Sequence, residues 1–266
     1  MNNYKKQPFV PAIQKTSTLV ILSIISLIGF IISINSITVN ISPSFNKKVE
    51  AANLMDASML ILKNHRMESG VFIDDENDPN ETGLVGSLFS LITTDEGDLD
   101  AKLTTLDPNF AAGIVELLVK MNLQKGDTLA VLLTGSMPGA NIAVLTAAKT
   151  LGLVVKSITS VGASQWGANN ADFTWLDMEE ILYSNGFIAQ KSVAASIGGR
   201  NDMGRLLSPE GRKIILENIT NHKIPIIENT APVILKIFHS KELLGLFFNC
   251  SDIERPCEVI QYIFTS

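Results

Sequence analysis

Hydrophobic and polar positions fall into two regimes along this chain. From Thr18 to Ile34 the sequence reads TLVILSIISLIGFIISI, 17 residues with no charge and no proline, and the mildly apolar stretch 36–41 can extend it. A helix of about 20 residues at ~1.5 Å per residue crosses a hydrocarbon core of about 30 Å, so this run predicts a transmembrane helix. A cleaved signal peptide is the rival reading, although no small-x-small site follows the run closely. After it, residues 49–65 read as helical, with apolar Leu54, Met59, Ile61 and Leu62. An acidic, solvated loop over 74–81 and an irregular stretch over 83–106 follow.

From Asp107 the pattern becomes regular. Asp107-Pro108 can open a helix whose apolar stripe runs through Phe110, Ile114, Leu117, Leu118 and Met121. Short apolar runs at 128–134 (TLAVLLT), 154–160, 187–196 and 224–228 (IPIIE) read as buried strands. Helices are expected over 140–151, over 177–185 with Asp177 as its cap, and from Ser208-Pro209 to about Asn221. Strands alternating with helices imply right-handed crossovers and a mostly parallel sheet. The expected fold is therefore α/β: an N-terminal transmembrane helix followed by a Rossmann-like three-layer sheet domain. The expected division is a basic arm (1–17), a membrane anchor (18–41), a connecting region (42–106) and the α/β domain (107–266).

The connections are asymmetric. Helix-to-strand turns are short: Gly152, Asn185-Gly186 and His222-Lys223. Strand-to-helix loops are long and rich in small polar residues: GSMPGAN from Gly135, SVGASQWGANNADFTWLD from Ser160, and SIGGRNDMGRLLSPEG from Ser196. In a parallel sheet these loops share the carboxyl edge of the strands, where open α/β sheets bind ligands.

Charge narrows the picture further. Lys5, Lys6 and Lys15 precede the apolar run with no acid among them, which sets the N-terminus cytoplasmic and the rest of the chain outside. The remainder, with 18 basic and 27 acidic residues, stands at −9. So acidic a domain is a poor nucleic-acid binder, since such binding leans on phosphate neutralisation. Cys250 and Cys257 could pair in an oxidising compartment or stand as separate thiols. His65, His222 and His239 show no metal-ligand spacing, and no cofactor signature is found. The acidic loop fails the calcium-loop pattern because Pro79 stands where the turn glycine belongs.

Candidate chemistry sits in the long loops. Gly135–Gly139 leads a strand into a helix, whose first amides could hold an anion or simply make a capped turn. Thr134 replaces the first glycine of a nucleophile elbow and no histidine partner stands out, so Ser136 and Ser164 are weak catalytic candidates. Gly198 and Gly199 let backbone approach a ligand closely, and Arg200 offers a fork for carboxylate or phosphate. Trp166, Trp175 and Phe173 either wall a pocket or form the loop's own small core. The ligand-binding set expected at this edge is Ser136, Asn141, Ser164, Trp166, Gly198, Gly199, Arg200 and Asp202.

The strings SVGASQWGANNADFTWLDME, SVAASIGGRNDMGRLLSPEG, LLTGSMPGANIAVLTAAKTLGL, DPNETGLVG and SLITTDEGDLDAK together resemble the poly-gamma-glutamate system protein family of PgsW type, over roughly residues 50–228. The resemblance implies a single-pass protein of the bacterial cell membrane, its main domain exterior. It implies an accessory role in poly-gamma-glutamate capsule or exopolymer synthesis and export, with membrane synthase or export subunits, membrane lipid, and a gamma-glutamyl chain end or small anion as partners. The alternatives are an exterior hydrolase or transferase acting on gamma-glutamyl chains, with Ser136 or Ser164 as nucleophile, and an anionic-solute-binding module. No catalytic residue is carried over from the family. After about Thr230 the resemblance fades, and a divergent or shortened C-terminus is expected.

Overall fold

A long apolar helix, α1 (Thr16–Asn35), opens the computed structural model, which describes residues 15–36, 41–71, 73, 76–199 and 202–227. The chain divides into two compact units, Met1–Ser42 and Pro43–Ser266. α1 has 20 residues, a mean hydropathy of 2.5 over an 18-residue window and no buried side chain, so by length and composition it can cross a membrane.

The second unit is α/β. Its parallel sheet has the order β1 (Thr128–Thr134), β2 (Val154–Ser160), β5 (Ala194–Ser196). Both of the first two strands match the apolar runs read from the sequence. The crossover helix α5 (Pro138–Leu151) is stopped by Gly152, whose φ of 73° supplies the left-handed cap that ends the helix.

Two strands are shorter than expected, for a visible reason in each case. Ahead of β5, the Gln190 side chain takes the Val155 N–H at 3.2 Å, so a side chain replaces the backbone ladder there. The run at 224–228 contributes one parallel bridge, Ile226 to Ala195. Pro225 accepts from Ala195 N–H but has no N–H to return, which limits the ladder. A small antiparallel pair, β3 (Asn169–Asn170) and β4 (Phe173–Thr174), lies inside the long middle loop.

The strand order steps one way, and one sheet face carries most of the core. Leu129, Leu133 and Val155 pack with residues of α2 (Phe45–Glu68), α4 (Asn109–Lys120), α5 and α6 (Trp175–Ser184). Ala195 packs with Ile215 and Ile219 of α7 (Pro209–Asn221). The other face carries a small cluster of Ile158, Ala194 and Ile227, with Leu132 against it. α2 begins earlier and ends later than the sequence suggested, and rather than connecting it belongs to the core, burying Ala51, Met55, Met59 and Leu62. Phe173 and Trp175 are buried in the same core, and the partly buried Trp166 packs against it.

Two further expectations change. Asp78 of the acidic run is fully buried, accepting from Gly83 N–H at 2.7 Å and from the Thr82 hydroxyl, so this residue is a turn anchor and not part of a solvated loop. Thr174, not Asp177, caps α6. Asp177 is its reciprocal partner, accepting from Thr174 N–H at 2.7 Å in a capping box.

Candidate functional site

The irregular stretch before Asp107 builds the site. Arg66 on α2 donates to the carbonyls of Gly83 and Val85 and fixes where the segment leaves the core. The chain then runs across the carboxyl edge of the sheet. Gly86 N–H donates to the Trp166 carbonyl, Trp166 N–H to Ser87, Thr94 N–H to Ala163, and Gln165 N–H to Asp95. Thr93 and Ala163 form a parallel bridge. The approach is so close that a Cβ on Gly86 would lie 1.9 Å from the Gly167 carbonyl oxygen, and one on Gly97 would lie 2.3 Å from that of Gln165. Residues 86–97 therefore form a strap over the middle loop.

After the strap, Asp98 caps the short helix α3 (Leu99–Thr105), accepting from Ala101 N–H at 3.1 Å. Leu99, Leu103 and Leu106 face the core, and Lys102 falls on the same stripe. α3 packs under the start of α5, where a Cβ on Gly139 would sit 2.6 Å from the Thr105 carbonyl oxygen. This placement buries Lys102 to 6% exposure and brings Nζ within 2.9 Å of Ser164 Oγ and 3.3 Å of Met137 Sδ. Ser164 is itself only 8% exposed. Ser136, half-buried in the turn after β1, accepts the Ser164 N–H on its hydroxyl at 2.9 Å.

Among the described residues no carboxylate forms a salt bridge with Lys102; its nearest acidic influence is Asp98. Burial disfavours the ammonium and, against the smaller opposing pull of Asp98, lowers its pKa from 10.5 to about 8. A fraction of Lys102 is thus neutral near physiological pH. An amine placed so can, when neutral, accept a serine hydroxyl proton and, when protonated, donate one. That is the activation a serine nucleophile needs, by an amine in place of a histidine.

The sequence candidates divide accordingly. Ser136 and Ser164 are brought together, and the partner that the sequence reading missed is Lys102. Its signal was present: a lysine on a helical stripe with Leu99, Leu103 and Leu106. It was masked by Asp98 four residues earlier, a spacing that reads as a surface ion pair. Trp166 contributes backbone to the strap and holds a φ of 62°. Asn141 ties strand to helix, donating to the Thr134 carbonyl at 2.8 Å. Gly198 backs onto Gly162. Asp202 accepts from the Ser196 hydroxyl at 2.8 Å, and its pKa is raised by burial against the opposing hydrogen bonds from Ser196 and Gly198. Gly199 turns beside Arg205. Arg200 lies outside the described residues.

A scan against protein-family models, a search of curated proteins and a search of solved structures each find no match. The geometry stands on its own residues.

Two other features lie apart from Lys102 and Ser164. A shallow groove of about 360 Å³ runs along α7, lined by Arg212, Lys213 and Leu216 among others, with none of the candidate residues in its walls. Beneath α6, Glu179 accepts from Ser192 N–H at 3.1 Å and from its hydroxyl at 2.8 Å, in a network that continues to Thr159 and Ser157 of β2. Burial raises the Glu179 pKa to about 6 despite those hydrogen bonds. This network braces helix to sheet.

Proposed function

We propose that this chain is a membrane-tethered hydrolase or transferase acting by serine–lysine chemistry on gamma-glutamyl amide bonds, within a membrane-bound system that makes or exports poly-gamma-glutamate. The observation that carries the chemistry is the Lys102 Nζ to Ser164 Oγ contact at 2.9 Å, buried and, among the described residues, without a carboxylate salt bridge to the amine. The substrate class follows the resemblance over residues 50–228. Single-pass anchoring by α1, an N-terminus inside and a domain outside belong to the same reading, as does a third layer completing a Rossmann-like domain.

The steps balance. Neutral Lys102 takes the Ser164 proton as Oγ attacks the amide carbon; the resulting ammonium gives that proton to the departing nitrogen as the C–N bond breaks. The acyl ester on Ser164 then passes to water in a hydrolase or to a second amine in a transferase: Lys102 takes the proton of the attacking group and gives it to Ser164 Oγ as the acyl C–Oγ bond breaks, which restores the serine hydroxyl and the neutral amine. Ser136 holds the Ser164 backbone through its hydroxyl.

One observation favours a non-catalytic accessory subunit instead: Ser164 is 8% exposed. The full chain, purified with its membrane segment, separates the two. Labelling at Ser164 by a fluorophosphonate, lost in Ser164→Ala and Lys102→Arg, together with cleavage or transfer of short gamma-glutamyl oligomers followed by mass spectrometry, is the expected result. Activity should rise with pH through about 8, where Lys102 becomes neutral. Co-purification with synthase subunits, with no labelling and unchanged polymer on Ser164→Ala, would leave the accessory role and remove the enzyme.

A further inference from the structure

We propose that the strap over Ser164 is a lid opened by a lipid surface, which engages the apolar side chains on its outer side. This inference regulates the site described above and rests on that reading of Ser164 and on α1 as a membrane span.

The dyad is covered and not merely recessed. Gly97 of the strap lies over the nucleophile, since a Cβ there would be 3.1 Å from Ser164 Oγ. A substrate carbonyl reaches that oxygen only if residues 86–97 move. The strap's outer surface is unlike that of a buried loop: Leu88, Phe89 and Leu91 are 45%, 70% and 52% exposed within a span of four residues. Clustered exposed apolar side chains of this size mark a contact surface for something apolar.

Beside the backbone bonds at Gly86, Ser87, Ile92, Thr94 and Asp95, one buried side chain holds the part of the strap that carries the apolar residues. Asn169, fully buried, receives the Ser87 N–H on Oδ1 at 2.9 Å and donates from Nδ2 to the Ser87 carbonyl at 2.7 Å and the Thr93 hydroxyl at 3.0 Å. Its own carbonyl accepts from the Ser90 hydroxyl. Four contacts through one side chain and its backbone form a latch, flanking the three exposed apolar residues. Lids of this kind sequester a site until a partner pulls them away.

The tether to α1 and the local charge favour lipid as that partner. Only nine residues, 36–44, separate α1 from α2, so a chain anchored through α1 carries the second unit on a tether of at most about 30 Å. Leucine and phenylalanine are side chains that enter the headgroup–acyl boundary. Asp95, Glu96, Asp98 and Asp100 are exposed next to the patch, which favours a zwitterionic surface over an anionic one.

The test uses the full chain in phosphatidylcholine proteoliposomes, with two readouts. One is the fluorophosphonate labelling rate at Ser164; the other is hydrogen exchange at the amides of residues 86–97. A triple variant, Leu88→Ser, Phe89→Ser and Leu91→Ser, changes only exposed positions and should fold. The wild type should label at least tenfold faster than this variant and exchange its strap amides faster, and added anionic lipid should reduce both differences. Asn169→Ala in the triple background should restore labelling by releasing the latch without lipid contact. Equal strap exchange in wild type and triple variant overturns the proposal, and would leave a protein partner as the occupant of the patch. Strap exchange that responds as expected while Ser164 never labels, even with Asn169→Ala, upholds the lid and removes the nucleophile.

Discussion

Lys102→Met should make the protein more stable while abolishing its reaction with a fluorophosphonate. The folded state lowers the Lys102 pKa from 10.5 to about 8, chiefly by desolvating the ammonium. At about 1.4 kcal/mol per pKa unit, keeping that charge buried at pH 7 costs about 3 kcal/mol. The sign is that of a base with a depressed pKa: the cost is fully present below pH 8 and fades as pH rises toward 10.5. Methionine matches the stem of lysine and removes the charge, but leaves the Ser164 hydroxyl without its partner, a loss of about 1 kcal/mol. The net gain is about 2 kcal/mol, or roughly 4–8 °C in Tm for a domain of this size. The assay is thermal unfolding of the full chain in detergent at pH 7 and at pH 9.5, where the wild-type cost falls to about half. A structural lysine that the fold depends on would behave oppositely, so a lower Tm for Lys102→Met at pH 7, or a gap that ignores pH, refutes the reasoning.

Glu179 titrates in the other direction. Its raised pKa means the stability it contributes is full below pH 4.5 and is lost as pH rises through about 6, a change of about 2 kcal/mol; Glu179→Gln should flatten that window in urea unfolding across pH. Asp177 would be raised by burial, but its bonds from His222 at 2.8 Å and from Thr174 hold it below the usual carboxylate range; stability from it is present above pH 3.8 and lost on acidification, so Asp177→Asn should steepen no further below pH 4 while lowering Tm at pH 7. Within β1, Leu133→Asp should cost several kcal/mol and Leu132→Asp clearly less, because Leu133 is 3% exposed in the main core and Leu132 only half-buried on the other face; equal losses in chemical denaturation would mean the faces are wrongly assigned. Gly139→Ala should loosen α3 from α5, since the added Cβ meets backbone at 2.6 Å, and should slow labelling at Ser164 by displacing Lys102. Replacing Lys5, Lys6 and Lys15 by Glu should weaken or invert insertion, read by a reporter after Glu50.

The parts of this fold that could be read from the sequence are those in which side chains alone specify the outcome. β1 and β2 are apolar runs because a parallel strand covered by helices selects for them. Gly152 and Ser208 end and begin helices by backbone rules that a single residue satisfies. Where the structure departs from expectation, the deciding interactions join residues far apart. β5 shortens because Gln190, Glu179 and Ser192 substitute side-chain bonds for a ladder. The strap looked irregular because its partners, Trp166, Gln165 and Asn169, lie about 80 residues away, as the 82-residue separation of Ser87 and Asn169 shows. Its glycines were visible as letters, but their reason, backbone against backbone at Gly86 and Gly97, exists only once both segments are in place.

The same distinction explains why the two serines are legible in the sequence and the lysine beside Ser164 is not. Ser136 and Ser164 sit in loops that strand-to-helix logic already marks as a working edge. Lys102 comes from outside the alternating part of the chain, delivered by a seven-residue helix whose position depends on Gly139 admitting the Thr105 carbonyl. A buried amine with no salt-bridged carboxylate among the described residues works against folding, and nothing in the local pattern requires it. Leu99, Leu103 and Leu106 would hold α3 as well with an apolar residue at position 102. A charge on a core stripe at a cost of about 3 kcal/mol, within 2.9 Å of a serine hydroxyl, is the arrangement that the proposed serine–lysine chemistry requires.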